Sequence, residues 1–478
     1  MKKLLLFVLI MVSAFVMAGC KNTQSSSQYE VLTIEELQAE TSVDITFRIQ
    51  FGKAIQDVIL ELIESFNEEY PNVNITLDIV NGSYTEMKKA TVNDISGGLA
   101  PTMSVGYPDH FAEYLITDSI ISLNGFMDAT DPRIGYTQAE IDDFLEGYVA
   151  ENTMFDLDGS FKGLPFNKST EVMVYNKDFF DHFELTPPTT WAELETLSTT
   201  IYDIVDDLTD KQYAWLGDIA TNLAASEFLP LMYDSTGNLF TTIIHQFDGK
   251  YTGALYRGDS GVVDVQRGTL DFATDEKASQ ALTYLQGLAE DNVMNVPEVW
   301  EGLYGSNFFI NGKILMNVGS TGGISHYADS ISSWNAAPIP YKDADHKYVI
   351  QQGTNFTIFS QASDMQKLAA WLFIKHCLTP ENTAMFAMKT GYLPVRHSAY
   401  ELEIYESFLN NPTPAQSDFS KVHNATLEYS GNGWNYFVDA AWAGSSGVRD
   451  EVGTALAQIL VLKTSVATAL ADAVSRIG

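Results

Sequence analysis

The residues best able to hold or act on a small molecule sit at a few glycine- and hydroxyl-rich joints. Gly319-Ser320-Thr321-Gly322-Gly323 separates an apolar run, Ile314 to Val318, from a segment that could open a helix at Ile324. Bare backbone N–H groups at a helix start, beside the hydroxyls of Ser320 and Thr321, suit an anion or an array of acceptor oxygens. The phosphate-loop pattern G-x-x-x-x-G-K-[ST] and the dinucleotide pattern G-x-G-x-x-G are both absent. Asn81-Gly82-Ser83-Tyr84 reads as a turn at the carboxyl end of a strand, where α/β sheets bind ligands. Catalytic chemistry finds less support. H-E-x-x-H, C-x-x-C and G-x-S-x-G do not occur, and the eight histidines have no metal-ligand spacing. Asp142-Asp143 and Asp206-Asp207 read as solvated polar faces, although the two dispersed carboxylates of a glycosidase leave no local pattern. Asp156-Leu157-Asp158-Gly159 lacks the further acids and terminal Glu of a calcium loop and reads as a turn before Phe161. No catalytic residue, metal site or cofactor is expected.

Alternating strands and helices must position these joints. Val43 to Phe51 alternates as a strand, and Lys53 to Glu69 repeats apolar residues at Ile55, Val58, Ile59, Leu62, Ile63 and Phe66 as an amphipathic helix. Pro71 breaks that helix, Val73 to Val80 returns as a strand, and Lys88 to Leu99 is a further helix. Glu171 to Tyr175 is a buried strand, with Asp178 placed to cap a short helix after it. Pro187-Pro188 then leads to a second helix at Trp191, opened by the capping box of Thr190 and Glu193. Strand, helix, turn and helix in this order predict an α/β lobe with a parallel sheet. Asp275 to Glu290 and Lys367 to Leu378 are helical, whereas Tyr213 to Leu216, Ala224 to Tyr233 and Thr241 to Ile244 suit helix or strand equally.

A chain of 478 residues exceeds one ordinary core and predicts two lobes. A net charge of −35 argues against nucleic acid and against electrostatic docking on anionic lipid. It also requires any anionic ligand to be held by local donors against the overall field. Met1-Lys2-Lys3, the apolar run Leu4 to Met17 and Ala18-Gly19-Cys20 resemble a bacterial lipoprotein signal. That resemblance implies cleavage before Cys20, acylation of its sulfur and anchoring by two or more acyl chains. Cys377 is then without a partner and reads as a buried, inert thiol.

Longer motifs point further. GLPFNKSTEVMVYNKDFF followed by PPTTWAEL, FNEEYPNVNI near the start, FFINGKILMNVGSTGG and TGYLPVR resemble the family-1 extracellular solute-binding proteins of ABC importers. The resemblance implies a periplasmic-binding-protein-like type II α/β fold, with two lobes around a central cleft and crossings near Gly163–Pro165 and Pro340–Lys347. The expected division is a signal peptide at 1–19, a lipid-anchored tether at 20–42, lobe 1 at 43–163 plus 347–396, and lobe 2 at 164–346 plus 397–478. It implies a monomer on the extracellular face of the bacterial membrane that closes on a small polar solute and delivers it to permease subunits.

Within the family the motif order is most similar to binding proteins for glycerol-3-phosphate and glycerophosphodiesters. Carried over on matching motifs, the ligand residues are Tyr84, Ser169, Ser320, Gly353 and Tyr392, with Arg449 as the phosphate-pairing cation. Asp109 stands in for an acidic position occupied here by Pro108, and Arg396 is a rival to Arg449. An oligosaccharide is the competing ligand, with Tyr84, Tyr107, Trp215, Tyr233 and Trp434 as stacking candidates and Asp109 and Asn167 as hydroxyl partners. A secreted glycan-acting hydrolase is the alternative of a different class.

Overall fold

In the computed structural model the described residues are 29–207, 221, 227–258, 262–300, 302–327, 330 and 333–478. The expected signal peptide, Cys20, Trp215 and the Tyr213 to Leu216 segment lie outside them. Along the chain the strands are β1 (Val43–Ile49), β2 (Val73–Ile79), β3 (Met103–Gly106), β4 (Leu164–Ser169), β5 (Glu171–Asn176), β6 (Leu229–Tyr233) and β7 (Gly253–Tyr256). They continue with β8 (Val263–Thr269), β9 (Met294–Asn295), β10 (Ile314–Ser320), β11 (Trp334–Ala337), β12 (Tyr348–Ile350), β13 (Gln352–Ile358) and β14 (Asn435–Phe437).

Two five-stranded sheets organise the molecule, ordered β2-β1-β3-β13-β4 and β11-β5-β10-β6-β9. The first opens as a βαβ unit: β1 and β2 pair in parallel from Val43 opposite Val73 to Ile49 opposite Ile79. The helix Lys53–Asn67 between them buries Val58, Ile59, Leu62, Ile63 and Phe66, the stripe its periodicity predicts. Each sheet has its own apolar core. One joins Phe47, Met103, Phe356 and Trp371, the other Met173, Leu231, Met316 and Leu456. Separate cores on separate sheets make two lobes.

The sheets are mixed rather than parallel. β5, the VMVY strand, runs antiparallel to both β10 and β11. It arrives from the other lobe instead of through a packed helix, so no right-handed crossover fixes its direction. Leu164 to Ser169 belongs to the first sheet, paired with β13, which moves the first crossing from Gly163–Pro165 to Thr170. Pro165 fits there because β4 is an edge strand, where a missing N–H leaves no ladder bond unmade. The second crossing, expected at Pro340–Lys347, lies at Ile350–Gln351: Tyr341 still pairs with Thr189 and Trp191 of the second lobe. Thr170 Oγ1 donates to Ile350 O at 2.8 Å and ties the two crossings together.

Smaller differences have local causes. Asn176, not Asp178, caps the helix Lys177–His182, and Asp178 instead accepts from Ser333 N at 2.8 Å. Ser83 and Glu86 form a capping box, so the helix expected at Lys88 begins at Tyr84. Thr241 to Ile244 falls within the helix Thr236–Gln246, and Leu229 to Tyr233 is a strand. The stretch expected as tether is packed chain from Tyr29 onward. Tyr29, Ile34 and Leu37 are buried against the first lobe, and Arg133 pairs with Glu35 at 2.8 Å. No helix among the described residues is long and apolar enough to cross a membrane.

Candidate functional site

A cavity of about 220 Å³ opens between the lobes. Tyr84 and Thr85 open one helix on the first-lobe wall, and Tyr107 to His110 turn from β3 into the helix Pro108–Leu115. The second lobe supplies Asn238, Tyr251, Thr252, Val438 to Ala441, Ser445, Ser446, Arg449 and Asp450. Ile350, Gln351 and Gln352 of the second crossing close the back. The lobes touch across this cleft. Lys88 Nζ donates to Ser446 Oγ at 2.6 Å, and Glu113 Oε1 accepts from Lys88 at 3.2 Å and from Gly444 N at 3.1 Å. Phe111 and Ala112 share a small apolar cluster with Val265 and Ala441 of the opposite lobe.

Arg449 is the only Lys or Arg among the described residues that line the cavity. Its helix, Ser445–Leu460, comes close to the helix Thr236–Gln246 because both carry glycine at the contact. A Cβ on Gly453 would stand 3.0 Å from Thr236 Oγ1, and one on Gly237 would stand 3.3 Å from Arg449 Cγ. The guanidinium donates from Nη1 to Asp439 and from Nη2 to Asn238 Oδ1. Asn238 Nδ2 in turn donates to Glu171 Oε1 at 2.6 Å, and the Tyr233 hydroxyl donates to Glu171 Oε2. Burial pushes the Glu171 carboxyl up to about 7, although the Tyr233 and Asn238 hydrogen bonds and the Arg449 charge pull the other way.

Tyr84 meets Tyr107 edge-to-face at 5.1 Å. Burial raises both phenols and pushes Tyr251 up to about 12, so all three are neutral hydrogen-bonding rings. Burial lowers His110 below its ordinary value and leaves it uncharged near neutral pH. Several polar atoms of cavity residues are buried without a hydrogen-bond partner: Asp109 Oδ2, His110 Nδ1, Asp439 Oδ1 and Gln352 Oε1. A polar solute can satisfy such groups, and leaving them unpaired is costly.

The structure sorts the expected residues. Tyr84, Asp109 and Arg449 line the cavity. Asn167, Gly353 and Tyr392 lie one layer behind. The Tyr84 and Tyr392 phenols face each other and Asn167, and the Gly353 backbone faces the Tyr107 phenol. Gly353 has a φ of +96°, and a Cβ there would fall 2.1 Å from Asn167 O, so no other residue fits without displacing β4. Ser169, Ser320 and Thr321 do not line the cavity. Gly319 and Ser320 are still in β10, and a 3₁₀ turn starts at Thr321. The amides expected to receive an anion are already used: Thr321 N donates to Thr170 O at 2.9 Å and Gly322 N to Ser320 Oγ at 3.3 Å.

Arg396 is buried elsewhere, stacked on Phe144 at 4.0 Å and donating to Glu140 O at 2.9 Å. Tyr233 is core, and Trp434 packs on Tyr429 and Tyr341. Asn238, Tyr251, Asp439, Ser446 and Asp450 were missed. They carry no motif and reach the cleft only through tertiary folding. Behind β4, Lys168 is fully buried against Glu151 and donates to Gly353 O at 3.2 Å, and burial holds its ammonium well below the usual range. Asp156 to Gly159 is a turn closed by Gly159 N donating to Asp156 O at 3.1 Å. No group of three or more His, Cys, Asp or Glu among the described residues is placed to hold a metal ion.

A family model described as bacterial extracellular solute-binding protein matches residues 61–413. The chain belongs to this family. It is 23% identical over 379 residues to the sn-glycerol-3-phosphate-binding periplasmic protein UgpB of Pectobacterium atrosepticum, covering 77% of each chain. It is 24% identical over 381 residues to the protein of that name from Yersinia enterocolitica, covering 77% of this chain and 78% of the relative. The structure superimposes on UgpB of Mycobacterium tuberculosis in complex with glycerophosphocholine with a TM-score of 0.70 at 18% identity, covering 91% of this chain and 98% of that one. Maltose-bound MalE3 of T. maritima gives a TM-score of 0.66 at 17% identity, covering 91% and 99%. The fold is therefore the type II periplasmic-binding-protein fold. The cavity lined by Tyr84 and Arg449 lies where the two lobes of that fold meet.

Proposed function

We propose that this solute-binding protein captures a glycerophosphoryl compound, glycerol-3-phosphate or a glycerophosphodiester, and releases it unchanged to an ABC permease in the membrane. The observation that carries the reading is Arg449 on the cavity wall, the sole Lys or Arg among the described lining residues. Two of its five N–H donors are engaged by Asp439 and Asn238, which leaves three for phosphate oxygens. Tyr84, Tyr107, Thr252 and Ser446 add neutral donors around it. The relatives named for sn-glycerol-3-phosphate support the same ligand class. Because residues of both lobes line the cavity, a bound solute favours the closed arrangement, and the crossings at Thr170 and Ile350–Gln351 act as its hinge. Acylated Cys20 tethers the protein, as a monomer, to the outer face of the membrane.

An oligosaccharide is the second reading, favoured by the three phenol rings and by the carboxylates of Asp109 and Asp450 on the same cavity. Isothermal calorimetry of the chain beginning after Cys20 decides between them. Glycerol-3-phosphate and glycerophosphocholine should bind the wild type, and Arg449→Ala should weaken both at least about thirtyfold, because truncating one partner of a charge pair that the bound ligand desolvates costs on the order of 2–5 kcal/mol. Maltose binding that is indifferent to Arg449→Ala, with no response to either phosphate compound, would transfer the assignment to sugars. Radiolabelled palmitate incorporation that disappears in Cys20→Ser checks the anchor.

A further inference from the structure

We propose that Glu171 is a positioning residue for the ligand: through the Asn238 amide it fixes the direction in which the Arg449 guanidinium faces the interlobe cavity. The inference rests on the reading that Arg449 receives the anionic part of the solute.

Asn238 stands between two partners of opposite character. A guanidinium can only donate, and above about pH 7, where the Glu171 carboxyl is ionised, that carboxylate can only accept. Asn238 Oδ1 accepts from Arg449 and Nδ2 donates to Glu171 at 2.6 Å. The amide turned over would set N–H against N–H and oxygen against oxygen, so this sandwich admits one orientation.

Every other part of the chain of contacts is anchored. Asn238 is in the first turn of its helix, where its backbone N–H donates to Ser235 Oγ at 3.2 Å. Glu171 is 1% exposed, follows the crossing residue Thr170, and its own carbonyl accepts from Tyr429 Oη at 2.7 Å. Its carboxylate is bound on both oxygens, by Tyr233 and Asn238, and does not itself line the cavity. The charged groups that act on it are Arg449, which favours ionisation, and Asp234, which opposes it. The cavity cation is thus oriented by a group seated at the hinge.

Glu171→Gln removes this one-way arrangement without changing size. The glutamine amide presents its oxygen to Asn238 in one rotamer, with its N–H on the Tyr233 oxygen, and an N–H in the other, and in the second Asn238 is free to turn its N–H toward Arg449. The expected result is at least a tenfold loss of affinity for sn-glycerol-3-phosphate. Asn238→Leu, which keeps the volume and removes the bridge, should reproduce that loss.

Calorimetry on both variants, alone and in an Arg449→Lys background, separates positioning from general damage. Glu171→Gln should cost nothing further once Arg449 is lysine, because a residue acting only through the guanidinium has nothing left to orient. Thermal melting of each variant establishes that it is folded.

A second readout does not depend on the ligand. In protein labelled with ¹⁵N at asparagine, the Asn238 side-chain N–H bonded to the carboxylate should be shifted downfield, and Glu171→Gln should abolish that shift. Wild-type phosphate binding with equal affinity in Glu171→Gln would overturn the positioning role and leave the proposed function standing. A wild type that binds only maltose would instead end the phosphate reading. In that case an unchanged Asn238 resonance in Glu171→Gln would remove the orienting role as well, and its loss would uphold it.

Discussion

Glu171 should make the second lobe lose stability as pH rises. Its carboxyl is raised from an ordinary 4.5 to about 7 by burial. Between those two values the folded protein keeps a proton that the unfolded chain has already released. Stability therefore falls as pH rises through that window, and above the folded value the full cost of the buried charge is present. The distance between those two values, at about 1.36 kcal/mol per pH unit, corresponds to about 3 kcal/mol. The carboxyl is 1% exposed, so solvent screening takes little from that figure. Glu171→Gln cannot titrate. Urea unfolding at about pH 4.5 and about pH 8, followed by far-UV circular dichroism and tryptophan fluorescence, should show the wild type losing about 3 kcal/mol more than the variant. Comparing the two slopes cancels every other titrating group, and any constant cost of the glutamine appears as an offset. Parallel pH profiles would refute the reasoning, because they would mean the carboxyl stays ionised throughout despite its burial.

The buried pair of Lys168 and Glu151 should show the opposite economy of charge. Lys168→Met leaves Glu151 buried and unpaired and should destabilise the first lobe by about 3–5 kcal/mol, whereas Lys168→Met with Glu151→Leu should restore most of the loss, both read by thermal unfolding. Lys88→Ala removes the contact from Lys88 to Ser446 across the cleft, so ligand affinity should fall several-fold and small-angle scattering of the unliganded protein should show a larger radius of gyration. Finally, with a net charge of −35 the approach of an anionic solute is opposed at long range. Raising salt from about 0.01 M to about 0.15 M shortens the screening length from about 30 Å to about 8 Å and should speed association of glycerol-3-phosphate, measured by stopped-flow fluorescence, while leaving a neutral sugar unaffected.

Local signals carried most of the fold. The stripe of Val58, Ile59, Leu62, Ile63 and Phe66 appears in the structure as the buried face of its helix, and the Thr190 and Glu193 capping box is formed. Strand direction and crossing position were not legible, since both depend on partners far along the chain. The crossing was expected near Gly163–Pro165, but Pro165 is accommodated in an edge strand paired with β13. The same distinction divides the site. Tyr84 and Asp109 follow strands of the first sheet, and turns at strand ends are visible in sequence. Asn238 meets Arg449 at the cavity because one helix docks beside another through Gly237 and Gly453, a contact more than two hundred residues apart. The glycine loop at 319–323 misled for a physical reason. A run of small residues advertises free amides, and here Thr321 N is spent on Thr170 O at the crossing and Gly322 N on Ser320 Oγ.

The position of the charged groups links binding to closure. Thr170 and Ile350 are joined by a hydrogen bond, Lys168 lies two residues before the first crossing, and Glu171 lies one residue after it. The meeting point of these two crossings, the pivot of the proposed closure, is buried. On one side it connects through Lys168 to Gly353, which packs against the backbone of Asn167 and faces Tyr107. On the other it connects through Glu171 and Asn238 to Arg449. Each wall of the cavity is tied to the pivot by hydrogen-bonded or close-packed contacts, so a solute that engages both walls selects one angle between the lobes. The ligand's share of the free energy for closure comes from that difference in contacts. A ligand that touched only Tyr84 and Asp109, or only Arg449, would bind the open form equally well and leave the lobes apart.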